Sequence, residues 1–314
     1  MYQVLSASPI EPTDGHVDLD FRRPEAWGPT QDGGGQGLAI MCGDEHAGPF
    51  VYLSCFPPME DEMPRSFAHA HASDNWRISV RGTTNMGTDA YADGQFRFHD
   101  GGVPYASDNF AWGPDGGFGI IMFADRRGFA IQPVKSSIAE RLEPQQRAVG
   151  EILGIDMMDP CPGAPAIVTT FGPTARGHLN QGFETAADWD VLVPGVRLSA
   201  ALMGEREVGP AMLLIDADQG SVALPERVVG TEVLAALVAG SVSTGEVELD
   251  QGSVRLDESG VSAPAMVAGD DGAQLVVIVA DRRALVDAVD GGAMAGWSDA
   301  LRGVLDSLRD GLAA

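Results

Sequence analysis

The chain repeats itself, and this restricts its fold more than any other feature of it. The segment GDEHAGPF, from Gly43 to Phe50, returns as GEREVGPA, from Gly204 to Ala211, at an offset of 161, and Pro64 meets Pro225 at the same offset. Gly82, Gly87 and Gly94 meet Gly240, Gly245 and Gly252 at an offset of 158, as Gly102-Val103 meets Gly260-Val261. The run from Ala124 to Arg127 meets that from Ala280 to Arg283 at 156, and PEAW, ending at Trp27, resembles AADW, ending at Trp189. An ordered series with two small changes of offset is a duplication, so roughly residues 22–129 and 184–285 are two versions of one unit.

Within each unit the pattern is that of short strands. WRISVRG, AYADGQFRFHDG and GFGIIMFADRRG alternate apolar and polar residues between glycines, and so do LAALVAG, EVELDQGSVRL and AQLVVIVADRR in the second copy. The 40 Gly and 20 Pro of this 314-residue chain supply the turns that such strands need. Two stretches have helical spacing instead. Residues 136–158 would bridge the units, with Pro144 expected to split them into two shorter helices. Residues 300–313 form an amphipathic C-terminal helix.

The 45 acidic against 20 basic residues give a formal charge of −25, which repels nucleic-acid phosphates and anionic lipid heads. Neither nucleic acid nor membrane is an expected partner. No run reaches the ~18 apolar residues of a membrane helix. The N-terminus lacks the basic start and apolar core of a secretory signal. Cys42, Cys55 and Cys161 make no CxxC pair and read as thiols of a reducing cytoplasm.

The chemistry concentrates between Ala68 and Gly82, AHAHASDNWRISVRG. His69-x-His71 is followed by three residues, Asn75, six residues and Gly82. Later come Gly94, five residues, Asp100-x-Gly102, two residues, Tyr105, three residues and Asn109. Residues i and i+2 of a strand share a face, so His69 and His71 can both enter one interior.

These spacings resemble the two motifs of the cupin superfamily, and the resemblance spans both repeats, as in a bicupin. It implies an all-β fold of two double-stranded β-helix (jelly-roll) barrels. The N-terminal barrel with the site would take residues 1–135, a helical and loop linker 136–180, and a degenerate barrel with a terminal helix 181–314. It implies a divalent transition metal (Fe, Mn, Ni or Zn) on three imidazoles and a carboxylate, and a homodimer. The sequence departs from the motifs at Asn75 (for glutamate), Tyr105 (for histidine), Asp100 (for proline) and Met63 (for glycine). His69, His71, Asn75 and Tyr105 thus occupy the ligand positions, with Asp74 as a substitute carboxylate. Tyr105 and His99 are the candidates to move a proton.

Trp76, Phe98 and Trp112 would line either the substrate pocket or the core. Arg77 and Arg97 could face an anionic substrate, outward salt bridges being the plainer expectation. His16, His46 and His178 read as ordinary surface or core residues. The second copy has Ala263 at the Tyr105 position and no histidine after His178. The change of offset between Pro64 and Gly82 places its three missing residues in the stretch that holds the HxH, which leaves it a structural partner. Two functions follow. One is a metalloenzyme acting on a small organic molecule, a dioxygenase among the chemistries the resemblance implies. The other is a metal-free bicupin that binds or senses a small ligand without turnover.

Overall fold

The computed structural model describes residues 3–5, 13–20, 28–29, 36–43, 48–56, 68–86, 89–99, 101–105, 116–129, 131–153, 168–169, 172–173, 178–182, 189–202, 209–294 and 296–311. Alternation along the strands builds two antiparallel sheets. The first runs Gln3–Leu5, Gln36–Met41, Phe50–Phe56, Gly117–Phe123, Asn75–Arg81, Gln95–His99, His178–Gly182 from edge to edge. The main path of the second runs Gly172–Pro173, Val168–Thr169, Val196–Leu202, Ala211–Ala217, Met266–Val279, Val233–Thr244, Ser253–Asp257, His16–Asp20. Each sheet takes an edge strand from outside its own repeat. His16–Asp20 pairs with Ser253–Asp257, and His178–Gly182 pairs with Gln95–His99.

The duplication is visible bond by bond. Gly94 N donates to Ser79 O and Gly252 N to Leu237 O, both at 2.8 Å. Gly102 N donates to His71 O and Gly260 N to Val229 O, again both at 2.8 Å. Gly94 and Gly252 have φ of +74° and +89°, a region that side chains rarely enter. The bridge His69–Tyr105 likewise has its counterpart in Arg227–Ala263. This corrects the expected place of the gap. The offset is already 158 at His69, so the three residues are lost ahead of the histidine pair. The second copy keeps the strand and carries Arg227 and Val229 in the two histidine places.

The units meet through the same face. Trp76, Ile78, Val80, Phe96 and Phe98 share one core with Leu234, Ala236, Val238, Val254 and Leu256, their counterparts at 158. The Trp76 ring lies edge-on to Phe96 and tilted to Phe98, with centroids 5.3 Å apart in both pairs. Trp76 and Phe98 are therefore core and not substrate pocket: strand alternation sends them to the partner unit and turns Asn75 and Arg77 the other way. Trp112 lies outside the described residues.

On the opposite face the copies diverge. Val229, Val233, Ala235 and Leu237 belong to a second apolar core, which the terminal helices join. Helix α1 spans Ser136–Leu153, α2 Arg282–Asp290 and α3 Ser298–Gly311. Asp281 caps α2, its carboxylate accepting from Arg283 N at 2.9 Å. Leu301, Val304, Leu305 and Leu308 of α3 are buried at helical spacing. Helix α1 is continuous through Pro144, against expectation. The turn that Pro144 interrupts is exposed at Glu140 and Arg141, where water can replace the lost backbone bond. No described helix is long and apolar enough to cross a membrane. Cys42 is a buried free thiol, and Cys161 lies outside the described residues.

The second unit keeps a buried polar cluster that is self-neutralising. Asp257 accepts from Arg227 and, at 3.1 Å, from Arg255 Nε, and it meets His16 Nδ1 at 2.9 Å. Arg255 also reaches Asp18 at 3.3 Å, so the cluster fastens the exchanged N-terminal strand.

Truncating Trp76 to Ala should cost about 3–5 kcal/mol in chemical denaturation, the usual loss for a buried aromatic. A loss under about 1 kcal/mol would mean that the ring is not core.

Candidate functional site

The interior face of the first unit is polar at Asn75 and Arg77, where its copy carries the apolar Val233 and Ala235. Register sets Arg97 directly opposite Arg77, and His99 opposite Asn75, on neighbouring antiparallel strands. Asn75, Arg77, Arg97 and His99 are all buried, and their counterparts at 158 are Val233, Ala235, Arg255 and Asp257. The expectation of outward salt bridges for the two arginines is corrected by the same alternation that buries Trp76 and Phe98: both sides of this sheet are interior.

The strand His69–His71 pairs with Ile131–Pro133, apart from the main sheet, and brings both imidazoles toward Tyr105. Tyr105 is fixed by two backbone hydrogen bonds to His69, of 3.0 and 2.9 Å. Three rings surround its own, with centroids at 4.6 Å for His69, 4.8 Å for His99 and 5.9 Å for His71. The Arg77 guanidinium lies 4.7 Å from the centre of the Tyr105 ring and donates to its hydroxyl.

His71 has a defined tautomer. Its Nδ1 donates to Gly128 O at 2.7 Å, which leaves Nε2 to accept from the Tyr105 hydroxyl at 2.9 Å. Arg77 Nη2 faces the same Nε2 at 3.0 Å. Burial first, then the charge of Arg77, holds the His71 imidazolium well below the usual histidine range, so the ring is neutral. Burial raises the Tyr105 phenol, partly opposed by Arg77, and keeps its proton on oxygen.

Arg77 is the anomaly. It is 8% exposed, its hydrogen-bond partners are the neutral His71 and Tyr105, and its Nε has no partner among the described residues. No carboxylate pairs with it among the described residues. Asn75, 1% exposed, offers Nδ2 to Ser73 O at 3.5 Å, and its Oδ1 has no partner among the described residues.

These side chains do not fit the metal that the motif implies. The nitrogen that His71 would give a cation already faces a guanidinium and a phenol, and a second cation against Arg77 would be strongly repelled. The substitute carboxylate, Asp74, is turned to the Gly101 N–H at 2.7 Å. No group of three or more His, Cys, Asp or Glu able to hold a metal occurs among the described residues. Of the residues singled out in the sequence, the fold brings together His69, His71, His99, Tyr105, Arg77 and Asn75. Arg97 was seen there but its direction was not. The signal was present in the repeat: a face that carries Val233, Ala235 and Leu237 in one copy is an interior face in both.

No family model and no curated protein matches the sequence. Solved structures do. A candidate dioxygenase from Nostoc punctiforme superposes with a TM-score of 0.54 at 10% identity, covering 88% of this chain and 86% of that one. A deletion mutant of Bacillus subtilis oxalate decarboxylase gives 0.46 at 11% identity, over 84% and 76%. Another structure of that enzyme, which has Mn(II) centres, gives 0.45 at 11% identity over the same shares. At such identities the likeness is one of fold. The chain shares the mostly β, cupin-like fold of these structures, with one unit lined by imidazole, phenol and guanidinium and the other largely filled by apolar side chains.

Proposed function

We propose that the N-terminal unit binds a small organic anion, a carboxylate seated on Arg77, with no metal taking part. The observation that carries this is the buried guanidinium whose partners are both neutral. An isolated charge taken out of water costs several kcal/mol, and an anionic ligand with two parallel hydrogen bonds offsets that cost. The second unit shows what the fold does without a ligand: two of its buried arginines, Arg227 and Arg255, share the carboxylate of Asp257.

In this reading Tyr105 keeps its proton, donates it to His71 Nε2 and accepts from Arg77, so the phenol braces the guanidinium and is not a base. Neutral His71 holds Tyr105 and Arg77 in place, and the Asn75 amide supplies a further polar contact. His69 and His99 shape the walls around the phenol. This corresponds to the second of the two functions that the sequence offered. The metalloenzyme alternative, the dioxygenase included, loses its support at the His71 nitrogen that Arg77 and Tyr105 occupy.

Isothermal titration of the full chain with small carboxylates should detect binding, weakened at least tenfold in Arg77→Gln. That is the loss expected from a charge-assisted hydrogen bond of about 1.5–3 kcal/mol. A wild-type chain that takes up none of them, or a variant that binds as well, would refute the reading.

The neutral His71 adds a pH signature. Its folded value lies below the unfolded one, near 6.5, so its stabilising contribution is complete above that value and declines as pH falls. The unfolded chain then takes up a proton that the folded chain refuses, at up to about 1.4 kcal/mol per pH unit. Between about pH 7.5 and 5.5 the wild type should lose more stability than His71→Gln. Parallel melting curves for the two would show that His71 is not held neutral.

A further inference from the structure

A second buried group in the interior of the first unit asks for the opposite chemistry to Arg77. The Asn75 side chain spends its Nδ2 on Ser73 O, and its Oδ1 is a buried acceptor with no partner among the described residues. A buried acceptor left unpaired is costly. Register places this amide close to the Arg77 head. Asn75 stands opposite Phe123 on one neighbouring strand and His99 on the other. The Phe123 ring lies 4.9 Å from that of His71, and the His99 ring 4.8 Å from that of Tyr105. His71 and Tyr105 are the two partners of the Arg77 guanidinium, which therefore meets the ring cluster that adjoins the Asn75 row. Both side chains also leave one face of one strand, two residues apart. The two positions change together: the second copy has Val233 and Ala235 there, both in its apolar core.

We infer that the ligand of this interior is a small hydroxycarboxylate, whose carboxylate accepts from Arg77 and whose hydroxyl donates to Asn75 Oδ1. This rests on the anion reading above and goes beyond it in naming a second group on the ligand and the residue that selects it. The selection follows from what each partner can offer. A guanidinium has only donors and takes an acceptor, whereas an amide oxygen takes a donor. An ionised carboxylate has no donor and cannot satisfy Oδ1. An ammonium could, but it would add a cation beside a guanidinium that has no carboxylate partner among the described residues. A hydroxyl donates without charge. An analogue that lacks it leaves the buried oxygen unpaired, and sites built to pair a hydroxyl discriminate most strongly against such analogues. Nothing in the inference requires turnover.

Titration calorimetry on the full-length chain tests it with matched pairs: acetate against glycolate, propionate against lactate and butyrate against 3-hydroxybutyrate, with alanine as a further arm. At least one hydroxy acid should bind at least tenfold tighter than its plain partner, and alanine no tighter than propionate. Asn75→Val, which installs the residue that the second copy carries at this place, should bring that ratio down to about one, whereas Arg77→Gln should weaken both members of each pair. The wild-type series decides by itself should the Asn75 variant fold poorly. Equal binding within every pair, or a preference that survives Asn75→Val, overturns this inference and leaves the anion reading standing. Alanine binding tighter than lactate overturns it too, in favour of an amino acid. Binding of none of these probes overturns the anion reading itself, and the hydroxycarboxylate with it.

Discussion

The contact between the Arg77 guanidinium and the His71–Tyr105 pair organises the interior of the N-terminal unit. It fixes the phenol between three imidazoles and, added to the burial of the ring, helps keep His71 neutral. It also puts a permanent positive charge where the motif would place a metal. A guanidinium cannot be deprotonated to relieve its burial, as a lysine could. The fold must supply an anion or bear the cost, and the second copy, with Asp257 between Arg227 and Arg255, shows the first of these solutions carried out within the chain.

Such an interior is affordable because stability comes from elsewhere. The two units bury equivalent apolar faces against each other, Trp76 and Phe98 opposing the Leu234 and Leu256 set, and the second unit adds a hydrocarbon interior closed by α2 and α3. Gly43 N also reaches Glu232 at 3.0 Å, and Gln251 reaches Val80 O at 3.0 Å, both across the two repeats. Duplication has thus divided the labour. One copy keeps a polar interior that weakens it, and the other has become a core that supports both.

Much of this was legible in the residues. Glycine spacing revealed the duplication because each turn needs a positive φ, as Gly94 and Gly252 show. Period-two alternation located the strands, and the HxH spacing located two of the imidazoles that face Tyr105. Alternation does not say which face looks inward when both are covered, and so Trp76 and Phe98 were open to a pocket role and Arg77 and Arg97 to a surface one. Nor could spacing reveal that His16–Asp20 crosses to the second sheet, where His16 joins the Asp257 cluster, since that pairing is decided by an edge more than two hundred residues away. Pro144 misled because a proline breaks a buried helix more surely than an exposed one.

The central claim is that a guanidinium, not a metal ion, holds the middle of the N-terminal unit. Elemental analysis of the full-length chain, purified without chelator from medium supplemented with Mn, Fe, Ni and Zn, tests it most directly. The account predicts metal far below one equivalent per chain, with no difference between the wild type and variants carrying His69→Ala or His71→Ala. Near-stoichiometric metal that disappears in those variants would contradict it.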